Sequence, residues 1–129
     1  MTIVEELAPR VLIVDDDPGV RDVLRVGLEA TGYRVASAAN GKEALAEIER
    51  ERPAALVCDV RMPVMDGLEL LEALRGNAAT RDLPVLMLTS ADSDADIVRG
   101  VGGGASMYLT KPVQISRLIP LLQGIAPLR

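Results

Sequence analysis

Short apolar runs alternate along the chain with segments in which apolar residues recur at helical spacing. This alternation is typical of repeated strand and helix units that build a parallel sheet, and five such units are expected. The runs at residues 11–14 and 85–88 are continuously apolar, so both are predicted to be central strands buried on two faces. Right-handed crossovers place helices on both sides, which predicts an α/β fold with a three-layer, doubly wound sheet.

Capping residues mark the first helix. Asp17 suits the N-cap, Pro18 the first helical position and Gly32 the position after the last turn. Asp17 could instead be a further metal ligand, but its place directly before Pro18 favours the cap. The predicted buried face of this helix comprises Val20, Val23, Leu24, Gly27 and Leu28.

Similar signals define the next elements. Residues 33–37 are predicted as the second strand, and Asn40 with Glu43 forms a capping box that opens a second helix running to about Arg52. Asp66 is favoured as the cap of a third helix, which ends near residue 76 and has an apolar stripe of Leu68, Leu71 and Leu74.

Two more helices are predicted after the fourth strand. Residues 92–101 form a short fourth helix, and residues 113–123 form a fifth. Pro120 should kink the fifth helix or confine its regular hydrogen bonding to the ends, because proline lacks an N–H group and crowds the preceding turn.

Composition limits the class of protein. A chain of 129 residues suits one domain, and with 49% hydrophobic but only 2% aromatic residues its core must be aliphatic. The net charge of -5 and the scattered basic residues argue against direct binding of nucleic acid. No stretch approaches the roughly 18 apolar residues of a membrane span, and the N-terminus lacks a signal-peptide pattern, so a soluble, cytoplasmic protein is expected.

Two residue types restrict the chemistry. The single cysteine, Cys58, lies in an apolar run, which favours a buried structural thiol over a reactive one. The chain contains no histidine, which excludes the commonest metal ligand, the commonest general base and any phosphohistidine formed on the chain itself. Any histidine chemistry must therefore come from a partner.

Residues suited to phosphate or metal chemistry stand at the ends of four predicted strands. Asp15 and Asp16 follow the first strand, Asp59 ends the third, Thr89 the fourth and Lys111 the fifth. In an open parallel sheet, ligands bind outside the carboxyl ends of the strands. These residues are therefore expected to converge on one acidic pocket.

Three carboxylates at one edge would repel one another. Unit charges about 4 Å apart repel by about 4 kcal/mol at the effective dielectric of a partly buried site. An all-oxygen set suits a hard divalent cation, most simply Mg²⁺, with Mn²⁺ as an alternative. Beside such a cation and the Lys111 ammonium group, an aspartate can attack a phosphoryl group and become an aspartyl phosphate, which the Thr89 hydroxyl could then bind.

Four motifs carry a resemblance to a known family. They are residues 14–18 (VDDDP), 58–63 (CDVRMP) with 65–67 (MDG), 88–90 (LTS) and 108–112 (YLTKP). In this order and spacing they resemble the receiver domain of bacterial two-component response regulators over residues 10 to about 124. The resemblance implies a flavodoxin-like (βα)5 fold with strand order 2-1-3-4-5, and a single receiver domain across residues 1–129.

The resemblance also implies a set of metal ligands. Asp59 would be the phosphoacceptor and a metal ligand, and Asp16 would bind Mg²⁺ directly. Asp15 would be an outer member of the site that acts through water, and the backbone carbonyl of Arg61 would complete the metal site.

Further roles follow from the same resemblance. Thr89 would bind the phosphoryl group, Lys111 would pair with it, and the Lys111–Pro112 peptide would be cis. Tyr108 would be the aromatic residue whose inward or outward rotamer reports phosphorylation.

The resemblance implies signalling partners rather than a substrate. A phosphohistidine on a sensor histidine kinase or a histidine phosphotransfer protein would supply the phosphoryl group, and an unidentified downstream protein would read the change in conformation. The protein would not be an enzyme, apart from catalysing its own phosphorylation and dephosphorylation. The residues after 124 are too few for an output domain, so the chain is expected to be a stand-alone regulator or a receiver cut from a longer protein.

The chain departs from the family pattern near its last strand. Ser106 and Met107 stand where acidic residues are usual, and Pro120 and the glycines within residues 100–104 alter elements that usually form the output surface. We therefore expect a complete pocket beside an unusual readout surface.

Two alternatives compete with this interpretation. A phosphohydrolase of the haloacid dehalogenase type would use Asp15 as its nucleophile, with Asp17 completing a D-x-D arrangement. Residues 112–129 contain no Asp or Glu that could supply its later metal ligands, however. A degenerate receiver that acts only as a docking module is disfavoured because every chemical position is filled.

Overall fold

A computed structural model describes residues 8–90 and 104–128, which form five strands and four helices. In chain order they are β1 (Arg10–Val14), α1 (Pro18–Thr31), β2 (Arg34–Ala38), α2 (Gly41–Arg50), β3 (Ala55–Asp59), α3 (Gly67–Arg75), β4 (Val85–Ser90), β5 (Met107–Lys111) and α4 (Ile115–Ile125). The predicted fourth helix over residues 92–101 lies outside the described residues.

The five strands form one parallel sheet in the order β2-β1-β3-β4-β5, which confirms the predicted flavodoxin-like topology. The register pairs Val14 with Cys58 and Cys58 with Met87, so β1, β3 and β4 end at nearly the same level. The residues that follow these strands therefore open onto one edge of the sheet.

Two apolar clusters lie on opposite faces of the sheet, as a three-layer fold requires. β1 illustrates the division, because Leu12 and Val14 belong to one cluster while Val11 and Ile13 belong to the other. Helices α2 and α3 cover the first cluster and helices α1 and α4 cover the second. All five residues of β1 and the first five of β4 are buried, which confirms the two strands predicted to be central, and β3 between them is also buried throughout.

The predicted caps are present at the N-termini of three helices. The Asp17 carboxylate accepts a hydrogen bond from the Gly19 N–H at 2.8 Å, which supports its role as a cap for α1. Asn40 caps α2, and Asp66 forms a capping box with Glu69 at the start of α3. Local polar signals therefore set where these helices begin.

The buried faces of α1 and α3 differ from the predicted ones. Val23 was expected in the core, yet its side chain is 63% exposed, because it lies about 100° around α1 from Leu24 and so falls outside the buried stripe. In α3, Leu71 and Leu74 are buried as predicted, but the third buried leucine is Leu70, which the predicted stripe omitted, whereas Leu68 is only partly buried.

Helix boundaries also differ from prediction in places. α2 ends at Arg50 rather than at Arg52. α4 begins at Ile115, two residues later than expected, and continues through Pro120, so the expectation that proline would confine regular bonding to its ends was wrong. The carbonyl that Pro120 leaves unpaired belongs to Ser116, whose side of the helix is exposed, so water can satisfy it.

None of the helices within residues 8–90 and 104–128 has the length and apolar character needed to cross a membrane.

Cys58 is buried in β3, where burial raises the pKa of its thiol well above the ordinary value. The burial of Cys58 agrees with the expectation of a structural thiol.

Tyr33 joins two distant parts of the chain. It was predicted to begin the second strand but lies just before β2, where its hydroxyl donates a hydrogen bond to the Ala126 carbonyl oxygen at 2.8 Å. Only 3% of Tyr33 is exposed, and this burial raises the pKa of its phenol above the ordinary value. The bond fixes the end of α4 against the start of β2.

We expect Tyr33→Phe to lower the free energy of unfolding by about 0.5–1.5 kcal/mol, because it removes one buried hydrogen bond. The folded protein retains the phenolic proton to higher pH than the unfolded chain, so the stability from this group is complete below a pH of about 10 and is lost as pH rises through the folded pKa. The difference between wild type and variant should therefore shrink at alkaline pH. Urea unfolding at neutral and alkaline pH measures both effects.

Tyr108→Phe is the matched control, because Tyr108 is 41% exposed and lies on an edge strand. Equal stability of the two variants at neutral pH would contradict a structural role for the Tyr33 hydroxyl.

Candidate functional site

Five residues named from the sequence meet at the carboxyl edge of the sheet. Asp15 and Asp16 lie in the loop after β1, and Asp59 is the last residue of β3. Thr89 belongs to β4, and Lys111 ends β5. The parallel register brings these strand ends together although nearly a hundred residues separate the first from the last.

The three carboxylates form a compact acidic cluster. One oxygen from each of Asp15, Asp16 and Asp59 lies within 4.8 Å of the others. Asp15 is 1% exposed and Asp59 is 7% exposed, whereas Asp16 is open to solvent. The cluster therefore has a buried side within the fold and an accessible side at Asp16.

Asp15 has one satisfied and one unsatisfied oxygen. Its Oδ1 accepts a hydrogen bond from the Asp17 N–H at 2.9 Å, while its Oδ2 is buried and accepts no hydrogen bond from the described residues. The nearest cation in the described part of the chain, Lys111 Nζ, is 3.6 Å away, and a buried carboxylate oxygen without a hydrogen bond carries a large desolvation cost. This orphaned atom indicates that a cation or its bound water belongs in the cluster.

Lys111 supplies the positive charge at this edge. Its Nζ lies 3.0 Å from Asp59 Oδ1 and 3.6 Å from Asp15 Oδ2. Desolvation lowers the pKa of Lys111, but its hydrogen bond with Asp59 and the charges of Asp59 and Asp15 outweigh that effect, so the net pKa is raised. The Lys111–Pro112 peptide is cis, as predicted.

One lysine does not fully compensate the buried charge of Asp59. Burial raises the pKa of the Asp59 carboxyl and the negative charge of Asp15 adds to the increase, while the hydrogen bond and charge of Lys111 oppose it without cancelling it. The backbone N–H of Arg61 also favours the charged form. The ionised cluster would therefore gain from a further cation.

An open cleft on the accessible side offers room for that cation. The cleft has a volume of about 410 Å³ and is lined by Asp16, Arg61, Met62, Pro63 and Asp66. The carboxylates of the cluster are hard oxygen donors, which suit Mg²⁺. The donor set and the orphaned oxygen of Asp15 therefore both fit this ion.

Thr89 and Tyr108 occupy related positions on adjacent strands. The register pairs Thr89 with Thr110 and Met87 with Tyr108, which places Thr89 and Tyr108 on the same face of the sheet. Thr89 is 1% exposed near the end of β4, which pairs with the strand that carries Asp59, while Tyr108 is 41% exposed at the sheet edge. Their proposed roles in sensing a phosphoryl group stay predictions.

Sequence reasoning missed Arg21 in this region. Its guanidinium donates a hydrogen bond to the Asp15 carbonyl oxygen at 2.7 Å and so ties α1 to the acidic loop. The only sequence signal was a basic residue one turn after Asp17 at the start of a helix, where arginine is common on solvent-facing positions. The contact depends on how α1 docks on the sheet.

The chain matches the family model described as the response regulator receiver domain over residues 11–123. Among curated proteins it is 44% identical over 119 residues to the response regulator MprA of Mycobacterium tuberculosis, an alignment that covers 92% of this chain and 51% of the relative. The chain thus corresponds to about half the length of this relative.

Solved structures give the same picture. The chemotaxis response regulator CheY4 of Vibrio cholerae superposes with a TM-score of 0.83 at 36% identity, covering 92% of this chain and 98% of the other. The receiver domain of the sensor histidine kinase PA1611 of Pseudomonas aeruginosa superposes with a TM-score of 0.83 at 31% identity and the same coverage, and its structure holds a magnesium ion in the active-site cleft.

We expect Mg²⁺ to stabilise the metal-free protein, because the acidic cluster exists only in the folded chain. At an Mg²⁺ concentration of 100 times the dissociation constant, the gain in unfolding free energy should be about 2.7 kcal/mol. Asp16→Asn should lose most of this gain. Thermal or urea unfolding in EDTA and in Mg²⁺ measures it.

Asp22→Asn provides the control, since Asp22 is an exposed carboxylate on α1 that pairs with Arg25 away from the cluster. An Mg²⁺ response lost to the same extent in both variants would contradict a specific site at Asp16.

Proposed function

The chain belongs to the response regulator receiver domain family, and from this premise we propose that it accepts a phosphoryl group from a partner's phosphohistidine onto Asp59. The observation that carries the proposal is the buried Asp59 carboxylate, held 3.0 Å from Lys111 Nζ inside a cluster of three carboxylates. Because the chain has no histidine, the phosphohistidine must belong to the partner. This family is not a classical enzyme family, and each molecule would take up one phosphoryl group.

The proposed transfer is a single displacement at phosphorus. A carboxylate oxygen of Asp59 attacks the phosphorus atom, and the bond between phosphorus and the imidazole nitrogen breaks. The electron pair of that bond returns to the partner's imidazole, which takes up a proton. The product on this chain is an aspartyl phosphate, and the ammonium group of Lys111 pairs with its added negative charge.

The proposed metal ligands are Asp16, Asp59 and the backbone carbonyl of Arg61, with Asp15 acting through a bound water. Mg²⁺ is the expected ion and Mn²⁺ an alternative; when bound, it would neutralise charge on the phosphoryl oxygens. The orphaned, buried Oδ2 of Asp15 supports an outer role through water. The magnesium ion in the cleft of the related Pseudomonas aeruginosa receiver supports the assignment of the metal.

Thr89 and Tyr108 are the proposed switch. The Thr89 hydroxyl would donate a hydrogen bond to a phosphoryl oxygen on Asp59 and draw the end of β4 toward it. Tyr108, on the same face of the sheet and now 41% exposed, would then turn inward. A downstream protein of unknown identity would read this change.

The proposed setting is a cytoplasmic two-component pathway. A sensor histidine kinase or a histidine phosphotransfer protein would be the donor, consistent with the response regulators among the relatives. The single, buried Cys58 fits a reducing compartment, and the net charge of -5 supports the absence of direct binding to nucleic acid. The family match over residues 11–123 supports one receiver domain with a core from about residue 10 to 124.

An apolar cleft beside the acidic cluster is the proposed contact surface for the donor. It measures about 800 Å³ and is bordered by Asp17 and Lys111 on the cluster side and by Val20, Val23 and Val113 away from it. In this proposal the donor packs on this surface when it brings its phosphohistidine to Asp59, because Lys111 both lines the cleft and contacts Asp59. The 63% exposure of Val23 is therefore better explained by a partner than by the core of this chain.

The two alternatives receive less support. A dehalogenase-type hydrolase would need Asp15 as the nucleophile, but Asp15 is nearly inaccessible and Lys111 Nζ lies closer to Asp59. A receiver used only for docking would not need its carboxylates, lysine and threonine assembled at one edge.

Acetyl phosphate with Mg²⁺ should add one phosphoryl group to the wild-type protein and none to Asp59→Asn, because the carboxylate at position 59 lies closest to Lys111 Nζ and asparagine offers no nucleophilic carboxylate oxygen. Intact mass measurement detects the addition. Asp22→Asn, which changes an exposed carboxylate on α1 away from the cluster, serves as the labelling control. Equal labelling of wild type and Asp59→Asn would sink the proposal, and labelling at Asp15 would favour the hydrolase.

Val23→Glu should slow transfer from a phosphorylated histidine kinase by about tenfold, equivalent to about 1.4 kcal/mol, because it puts a charge into an apolar contact. Labelling by acetyl phosphate, which needs no docking, should not change. Val26→Glu is the matched control, since Val26 is 66% exposed on the same helix but does not line the cleft. Equal rates for the two variants would argue against this contact surface.

A further inference from the structure

The loop between β3 and α3 carries the proposed carbonyl ligand and is held tightly at both ends. At its start, the Val60 carbonyl oxygen accepts a hydrogen bond from the Gly67 N–H at 2.8 Å. A Cβ atom on Gly67 would lie only 2.1 Å from the Asp59 carbonyl oxygen, so α3 packs directly against the backbone of the phosphoacceptor. These contacts fix the ends of the loop but not its middle.

Met65, near the end of the loop, attaches the loop to helix α2. Its carbonyl oxygen accepts a hydrogen bond from the Gly41 N–H, the first residue of α2, at 2.9 Å. Its side chain covers the same glycine, since a Cβ atom on Gly41 would lie 2.6 Å from Met65 Cγ and 2.8 Å from Sδ. Met65 also packs against the apolar cluster under α2 and α3.

Val64, the residue before Met65, has a backbone conformation that is unfavourable for its residue type. We attribute this conformation to the contact between Met65 and Gly41. Val64 has a φ of +71°, a left-handed conformation that is unfavourable for a β-branched residue, and its side chain is 72% exposed. The exposed side chain of Val64 does not explain this conformation. The packing of Met65 on Gly41 explains it, because this contact fixes the direction of the chain immediately after Val64.

We infer that Gly41 and Met65 are positioning residues that hold the Arg61 carbonyl in place for the metal ion. The inference rests on the proposed metal site, and it names residues that touch neither the ion nor the phosphoryl group. Asp16 lines the open side of the cluster, and the loop contributes Arg61, Met62, Pro63 and Asp66 to the wall of that cleft. A loop released from Gly41 would leave Asp16 unaffected but would let the carbonyl ligand move.

Met65→Ala tests the side-chain contact. We expect about tenfold weaker binding of Mg²⁺ by titration calorimetry, in the range found when residues that orient metal ligands are removed. Leu68→Ala is the matched control, because Leu68 is also a partly buried residue packed on the same cluster but lies outside the loop. It should lose comparable stability and keep its Mg²⁺ affinity, and Met65→Leu should restore most of the affinity.

Gly41→Ala tests the close approach from the other side, because its Cβ would also lie 2.9 Å from the Met65 carbonyl oxygen. It should weaken Mg²⁺ binding by a similar factor. Gly124→Ala is its control, since a Cβ at that helical position meets nothing within 4 Å. In the metal-free protein, hydrogen exchange at the Gly41 and Gly67 amides should accelerate in Met65→Ala and not in Leu68→Ala.

The outcomes separate this inference from the proposed function. Failure of the wild-type protein to bind Mg²⁺ would overturn the metal site itself. Wild-type binding that Met65→Ala and Leu68→Ala weaken equally, or that neither weakens, would overturn only the positioning role. Selective weakening by Met65→Ala and Gly41→Ala, with rescue by Met65→Leu, would support it.

Discussion

The repulsion among three carboxylates at one sheet edge is the constraint on which the rest of this structure depends. The fold places Asp15 and Asp59 where water is largely excluded, and only Asp16 remains open to solvent. The contact with Lys111 relieves part of this cost, but the pKa of Asp59 stays raised and, among residues 8–90 and 104–128, one oxygen of Asp15 accepts no hydrogen bond and has only the more distant Lys111 Nζ beside it. A site with this residual negative charge is suited to take up a cation, which supplies the positive charge that the cluster lacks.

Holding such a cluster together requires rigid surroundings, and the structure provides them mainly through backbone contacts. The register of β1, β3 and β4 fixes the level at which the acidic residues emerge. Gly67 lets α3 pack onto the carbonyl of Asp59, and Gly41 does the same for Met65 and α2. Side chains at either glycine would push apart the elements that define the site, so close packing of the backbone serves the chemistry directly.

The two sides of the site present different surfaces. On the side of α1, exposed valines and an apolar cleft adjoin Lys111, which suits a docking partner. On the side of β5, alternate residues face solvent, and Tyr108 lies at the edge of the sheet. In the proposed function, the donor would bind on the side of α1 and the downstream protein on the side of β5. Strands β4 and β5, which carry Thr89 and Lys111, connect these two sides.

The sequence by itself determined the class of fold, the starts of α1, α2 and α3, and which polar residues stand at the strand ends. Continuous apolar runs required buried strands, Asp17, Asn40 and Asp66 carried their capping signals locally, and polar residues at strand ends had to meet once the sheet was parallel. Only the tertiary structure decided which of two adjacent aspartates is buried, why Val23 faces solvent while Leu70 does not, and that Met65 rests on Gly41. Periodicity and capping act over a few residues and can be seen in the sequence, whereas burial and distance between remote residues depend on strand register and on the docking of whole helices.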